Sequence, residues 1–235
     1  MGQLHILSRS GEPYRDRAEA GRLLGYSLKS QRLERPVVLG IPRGGLVVAR
    51  EMARMLDGDL DIVLARKLRT PDNPELAFGS VSETGKLFLD ESLVGLMGIS
   101  LDYIQQERDF QMAEIARRMA LVRAVLPKTE LAGREVIVTD DGVATGSTLQ
   151  AALWAARHEK PSRLIAAMPV GPEDTVRRLS ADCDDMIVAR VPAYFSAVGQ
   201  FYLRFDQVED NEVIAMLREE ARRRAAVAGA AKHGK

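Results

Sequence analysis

Short apolar runs alternate with amphipathic stretches along most of the chain. The runs at 36–41, 60–68, 135–140, 163–170 and 185–191 are rich in β-branched residues, as buried strands are. Apolar residues at spacings of three and four predict helices at 15–35, after Gly45, from Ser100, at 146–157, from Glu173 and at 211–224. This alternation predicts βαβ units and a doubly wound α/β fold, with a mostly parallel sheet covered on both faces.

The segment from 69 to 130 departs from the alternation. Pro71, Asn73 and Pro74 are turn formers, and two β-like pieces follow, with Thr84-Gly85 as a hairpin turn between them. The helix after Ser100 carries a narrow apolar seam: Met112, Ile115, Met119, Val122 and Leu126. We interpret it as a helix docked on the core, and a partner-binding helix, for instance in a homodimer, stays open. A single domain over 1–235 is expected, with an insert lobe at about 70–130 and a frayed tail at about 225–235.

Composition excludes several classes of protein. Lysine plus arginine and aspartate plus glutamate both count 33, which argues against a protein that coats nucleic acid or an anionic membrane. No apolar run is long enough to span a bilayer. The lone Cys183 cannot form an intramolecular disulfide, so a reducing compartment and a cytoplasmic location are expected. The histidines His5, His158 and His233 are scattered and offer no transition-metal site.

An unusual loop follows the strand at 135–140. Two acids, Asp140 and Asp141, end the strand, and the run Ala144-Thr145-Gly146-Ser147-Thr148 leads into the next helix. In a parallel sheet, ligands bind in such loops beyond the carboxyl ends of the strands. Small residues, hydroxyls and a helix N-terminus suit a phosphate group. No lysine stands between Gly146 and Ser147, which argues against a P-loop nucleoside triphosphatase.

The acid pair suits the other end of a sugar phosphate. Two carboxylates repel a bare phosphate, but carboxylates accept hydrogen bonds from vicinal hydroxyls. We therefore expect a phosphate at 144–148 and a sugar diol at Asp140 and Asp141. The alternative, one acid capping the helix and the other facing solvent, explains less of the pattern.

The stretch VIVTDDGVATGSTLQAAL, at 136–153, resembles the phosphoribosyl pyrophosphate (PRPP) signature of the type I phosphoribosyltransferases. The order of strands and helices from roughly 15 to 210 is similar to that of this family. The resemblance implies a Rossmann-like doubly wound sheet with a small hood, ribose hydroxyls at Asp140 and Asp141, and the 5′-phosphate at 144–148. Among members of the family, the chain is most similar to an uncharacterised bacterial branch.

A second motif, GIPRGG at 40–45, resembles the pyrophosphate loop of the same family. Gly44 and Gly45 expose backbone N–H groups, and Arg43 supplies a guanidinium for phosphate oxygens. A simple structural turn is the alternative for this motif taken alone. Lys67, at the end of the next predicted strand, is a further pyrophosphate candidate, or else a solvated surface lysine.

The resemblance implies transfer of ribose 5-phosphate from PRPP to a small nitrogenous acceptor, with release of pyrophosphate. Asp140, Asp141 and Arg43 are the expected catalytic residues. Mg²⁺ is the expected cofactor, held mostly by PRPP and by Asp140 and Asp141. The 6-oxopurine branch has an Asp where this chain has Ala144, which argues against hypoxanthine or guanine and leaves no general base in the loop.

The acceptor is expected near Tyr194 and Phe195, whose rings can stack on a flat base. Alternatively, these aromatic residues fill an apolar seam beneath the last helix. The segment 70–89 is a candidate lid over PRPP. A PRPP-binding sensor without turnover is the alternative function, since fold does not settle activity. A phosphohydrolase with Asp140 as nucleophile is disfavoured, because Gly142 stands where its second acid is needed.

Overall fold

The fold is a six-stranded parallel sheet with helices on both faces, to which a three-stranded antiparallel sheet is attached. A computed structural model describes residues 2–71, 73 and 76–233, with the backbone alone for 228–233. In these ranges the strands are β1 (Gln3–Ile6), β2 (Val37–Gly40), β3 (Asp59–Ile62), β4 (Ala65–Arg69), β5 (Ala77–Ser82), β6 (Leu87–Leu89), β7 (Glu135–Thr139), β8 (Arg163–Val170) and β9 (Asp185–Arg190). The helices are α1 (Arg17–Leu28), α2 (Gly44–Met55), α3 (Glu91–Met97), α4 (Leu101–Arg123), α5 (Ser147–His158), α6 (Glu173–Leu179) and α7 (Asp210–His233).

The main sheet has the order β1-β9-β8-β7-β2-β3, and every adjacent pair in it is parallel. Its central strands are apolar on both faces. Val38 and Ile137 belong to the core cluster beneath α1, α2, α4 and α7, whereas Val37 and Val136 belong to the cluster beneath α5 and α6. Burial on both faces explains the continuous apolar runs in the sequence and confirms the predicted doubly wound α/β fold.

The predicted strand at 60–68 is two strands in two sheets, so that prediction was wrong. β3 ends at Ile62 inside the parallel sheet, while β4 pairs antiparallel with β5. The physical reason is polarity: Arg66, Lys67 and Arg69 of β4 are only half-buried, and a strand covered on both faces could not hold them.

The second sheet and the two helices after it form the insert lobe. The predicted hairpin is present, with Gly85 at φ 76° between β5 and β6. Its first strand starts at Ala65, a few residues before the predicted limit of about 70. Phe78 and Val81 of β5 are fully buried, so the hairpin is packed. The predicted turn residue Pro74 lies outside the described residues.

Helix α4 fixes this lobe to the main sheet. The side chain of Ser100 caps its first turn, and the predicted apolar seam faces the core. Near its end, Arg123 pairs with Asp61 of β3 at 2.7 Å and with Glu83 after β5 at 2.8 Å. These ion pairs are largely enclosed, so losing the guanidinium would leave the buried Asp61 without its cation and Glu83 with Lys128 alone, at 3.4 Å.

Both ends of the chain differ from expectation. β1, a short strand with alternating polar residues, was not predicted; it pairs with β9 at the edge of the main sheet. The helix predicted at 211–224 continues to His233, and the frayed tail expected at about 225–235 stays a prediction. The run of alanines after Arg224 has high helix propensity, which explains the extension. Residues 234 and 235 lie outside the described part.

Candidate active site

The candidate site lies where β2 and β7 end side by side. The backbone N–H of Ile41 donates to the carbonyl of Thr139 at 2.9 Å, which joins the first residues of the two loops. The Thr139 hydroxyl donates to the carbonyl of Ala167 at 2.6 Å and fixes β7 to β8. Because the strands are parallel, both loops leave the same edge of the sheet, as the sequence motifs require.

The two motifs are in direct contact through their glycines. A Cβ built on Gly44 would lie 2.0 Å from Oδ2 of Asp141, and one on Gly45 would lie 2.7 Å from Cα of Asp140. Only residues without a side chain allow the start of α2 to approach the acids this closely. The structure therefore brings Gly44, Gly45, Asp140 and Asp141 together. The peptide bond between Pro42 and Arg43, just before these glycines, is cis.

The two acids differ in their surroundings. Oδ1 of Asp140 accepts the backbone N–H of Asp141 at 2.8 Å. Protein atoms crowd the Asp140 carboxyl and raise its pKa well above the ordinary value, and the adjacent charge of Asp141 adds to the rise. Asp141 has a cation beside it, since its Oδ2 accepts from Nε of Arg17 at 2.8 Å.

Arg17 is a functional candidate that the sequence interpretation missed. It is the first residue of α1, and its guanidinium lies over the ring of Phe205, 3.8 Å from the centroid. The same group donates to the carbonyl of Asp206 at 2.7 Å. A Cβ on Gly44 would lie 2.8 Å from Nε of Arg17, so the guanidinium touches both motifs. No local pattern distinguishes Arg17 from the many other arginines of the chain.

Tyr202 supports the acid loop from the other side. Its hydroxyl donates to the carbonyl of Asp141 at 2.5 Å. Burial raises the pKa of Tyr202, and the charge of Asp141 raises it further, so this phenol stays protonated and acts as a donor. Its ring packs against Tyr14, whose own hydroxyl donates to the carbonyl of Pro169 at 2.8 Å. The backbone at Asp141 is thus held by groups distant in sequence.

The loop at 144–148 presents unpaired amides. Gly146 has φ 84°, which turns the chain into α5 in a conformation that glycine allows. Within the described ranges, no main-chain N–H from Ala144 to Thr148 donates to a protein acceptor. The carbonyls of Ala144 and Thr145 accept instead from Thr175 at 3.0 Å and Arg178 at 2.7 Å, both on α6. The predicted residues Ala144, Thr145, Gly146, Ser147 and Thr148 thus form one open turn.

Arg43 points away from the acids. Its Nη1 lies 3.8 Å from Asp210 and 3.9 Å from Glu209, at the start of α7. These contacts are long and the acids are more than half exposed, so they hold the guanidinium weakly. Arg43 is therefore at the predicted loop, but its side chain is turned toward α7.

The sequence predicted Lys67 at the end of a parallel strand, and this prediction was wrong. Lys67 lies in the middle of β4, opposite Ser80 of β5 in the antiparallel sheet. Its neighbour Arg66 faces a cleft that Pro42 and Thr148 also line, so this part of β4 still borders the candidate site.

The two residues predicted to meet the acceptor, Tyr194 and Phe195, lie in different environments. Phe195 stacks on Phe201 with ring centroids 5.4 Å apart, inside a small cluster that contains Tyr14. Among the described residues this cluster contains no residue of α7, so it is not the seam beneath the last helix that was the alternative. Tyr194 is 88% exposed, and its carbonyl accepts from the side chain of Gln200.

Comparisons with known proteins agree with this geometry. The family model described as phosphoribosyl transferase domain matches residues 17–203. The chain belongs to this family. The match covers Arg17, both sequence motifs and Tyr202, and therefore the whole candidate site.

Two curated relatives, each named "Putative phosphoribosyl transferase", come from two strains of Mycobacterium tuberculosis. Each is 39% identical over 218 residues, or 92% of this chain. The chain spans about half the length of these relatives, 48% of each. The crystal structure of TT1426 from Thermus thermophilus is similar with a TM-score of 0.85 and 43% identity, over 88% of this chain and 98% of that one.

The described residues contain neither a membrane-spanning helix nor a cluster of metal-ligating side chains. No helix there is long and apolar enough to cross a membrane. No group of three or more histidine, cysteine, aspartate or glutamate side chains in the described part is placed to hold a metal ion. A cation at the acids would therefore need further oxygens from a ligand.

Proposed function

We propose that this protein transfers ribose 5-phosphate from PRPP to a small nitrogenous acceptor and releases pyrophosphate. One observation carries the proposal: the glycines of the loop at 40–45 pack directly on Asp140 and Asp141, with the open turn at 144–148 on the same loop as the acids. A single ligand with a diphosphate, a diol and a phosphate would meet all three features at once.

Each part of the site has a role in the proposed displacement. The free amides and hydroxyls at 144–148 would hold the 5′-phosphate at the start of α5. Asp140 and Asp141 would accept hydrogen bonds from the ribose hydroxyls and fix the ring. During the reaction the C1–oxygen bond breaks as a nitrogen attacks, positive charge develops on the ring, and negative charge gathers on the leaving diphosphate. The amides of Gly44 and Gly45, with Arg43 swung from α7, would stabilise that charge.

Mg²⁺ fits the donors present. The carboxylates of Asp140 and Asp141 lie against Gly44 and Gly45, and Mg²⁺ prefers one or two carboxylates together with substrate phosphates. When bound, the ion would supply positive charge to the diphosphate. Burial and the charge of Asp141 raise the pKa of Asp140, and a bound cation would favour the ionised form of this carboxyl.

The acceptor would enter opposite the diphosphate. The segment after β9 is the proposed place, with the exposed Tyr194 as its stacking residue, while Phe195 shapes the base of the segment by packing on Phe201. Ala144 and the protonated Tyr202 offer no base, so the acceptor nitrogen would react without proton abstraction by the loop.

The deciding experiment is incubation of the full chain with PRPP, Mg²⁺ and a panel of nitrogenous bases, with pyrophosphate release as the readout. Release with at least one base, lost in an Arg43→Ala variant, supports the transferase. Tight PRPP binding without release for any base would refute turnover and favour the PRPP-binding sensor. The sensor has some support in Arg43, whose side chain is turned toward α7 and away from the acids.

A further inference from the structure

Buried arginine donors without partners lie along the seam between α4 and β4. Five buried side-chain polar atoms of the described residues lack a hydrogen bond, and three of them are the Nε atoms of Arg69, Arg108 and Arg118. Buried polar groups in folded proteins are nearly always hydrogen-bonded, so such donors indicate an acceptor that the chain itself does not supply.

Arg118 lies beside the candidate active site. With Arg66 of β4 it lines a cleft at the surface. The cleft also contains Pro42, from the loop at 40–45, and Thr148, from the turn before α5. The two arginines therefore face a space that borders both motif loops, and neither motif includes them.

The charge in this cleft is unbalanced. Arg66 contacts Glu114 at 3.4 Å, but Glu114 is nearly half exposed, which weakens the pair. Arg118 forms no ion pair within the described ranges. Burial lowers the pKa of Arg66, and the positive charge of Arg118 is the next cause. Two guanidinium groups thus share a cleft with one partly solvated carboxylate.

We propose that Arg66 and Arg118 bind a phosphate-class oxyanion in this cleft, at a position separate from the turn at 144–148. Guanidinium groups present a planar fork of donors that matches phosphate oxygens, and an anion would satisfy the buried Nε of Arg118. Pro42 forms part of the wall, so the site lies on the side of the loop at 40–45.

The same chemistry has two sources: free inorganic phosphate or diphosphate, and the diphosphate end of PRPP. The second source rests on the proposed function, whereas the first does not.

The full chain in phosphate-free buffer is titrated with inorganic phosphate, diphosphate and PRPP by calorimetry. Arg118→Gln and Arg66→Gln are each expected to weaken phosphate and diphosphate binding at least about tenfold.

Arg117→Gln is the matched control. Arg117 is exposed, neighbours Arg118 on α4, and does not line the cleft. The substitution removes the same charge from the same helix. The affinity of the Arg117→Gln variant for phosphate and for diphosphate should therefore stay within about twofold of that of the wild type. Glu114→Gln tests the site from the opposite direction, because it removes the competing carboxylate and is expected to tighten phosphate binding about threefold.

The outcomes separate this inference from the proposed function. Weaker binding of phosphate and PRPP in Arg118→Gln supports the donor diphosphate as occupant, whereas weaker phosphate with unchanged PRPP supports a separate phosphate site. Either result stands even where no base releases pyrophosphate. Equal phosphate and diphosphate affinity in wild type, Arg118→Gln and Glu114→Gln, or no binding to the wild type at millimolar anion, would overturn it.

Discussion

The ion pair between Arg17 and Asp141 provides the sharpest test of how the acid loop is held. Their side chains are only 11% and 17% exposed, and Nε lies 2.8 Å from Oδ2. Arg17→Gln removes a charge-assisted hydrogen bond of about 1.5–3 kcal/mol and the contact with Phe205, about 0.5–1 kcal/mol. Partial exposure reduces the sum, so we expect a loss of about 2–3 kcal/mol in the free energy of unfolding.

For a chain of this length, that loss corresponds to a fall of roughly 4–12 °C in the melting temperature. Calorimetry of Arg17→Gln, Asp141→Asn and the double variant gives the coupling energy, expected to exceed about 1 kcal/mol. Arg22→Gln is the control, because Arg22 is on the same helix as Arg17 and pairs with Glu51 of α2, but it is 42% exposed. A coupling energy near zero, or equal losses in Arg17→Gln and Arg22→Gln, would refute the reasoning.

Three further variants test separate parts of the site. The pKa of Asp140 is higher in the folded chain than in the unfolded chain. At a pH between the two pKa values, the folded chain keeps Asp140 protonated and the unfolded chain does not. The free energy of unfolding therefore falls as the pH rises through this range. Asp140→Asn should therefore raise the melting temperature at about pH 8 and lose this gain near pH 4; an equal gain at both would contradict the pKa shift. Gly45→Ala should cost about 1–3 kcal/mol in unfolding calorimetry, because its Cβ meets backbone at Asp140, whereas Gly11→Ala, with open space, should be near neutral; equal effects would contradict the close approach. Arg43→Ala should lower pyrophosphate release about 100-fold with little change in melting temperature, and unchanged turnover would place the leaving group elsewhere.

The parts of the site that lie close together in sequence could be predicted. A buried strand, two acids, a glycine turn and a helix follow one another within 136–153, so local pattern and parallel-sheet geometry were sufficient. The contacts that hold the loop are different in kind. Arg17 is 124 residues from Asp141 along the chain, and Tyr202 is 61 residues away. One sequence carries no local sign of such pairings.

The errors in the fold have a similar origin. An apolar run at 60–68 could not show that the chain leaves one sheet at Ile62 and enters another at Ala65, because both halves favour strand. The half-buried Arg66, Lys67 and Arg69 were the available signal, since a central parallel strand excludes charged residues. At the end of the chain, the alanines after Arg224 favour helix, and α7 extends to His233, beyond the predicted limit of 224.

Calorimetric titration of Mg²⁺–PRPP into the wild type and into Asp140→Asn/Asp141→Asn tests the central claim most directly. If the acids hold the ribose beside the phosphate turn, affinity falls at least about tenfold, or about 1.4 kcal/mol, while the variant keeps a cooperative unfolding transition. The same affinity in both proteins would mean that the two carboxylates do not meet the ligand, and the account of this site would be wrong.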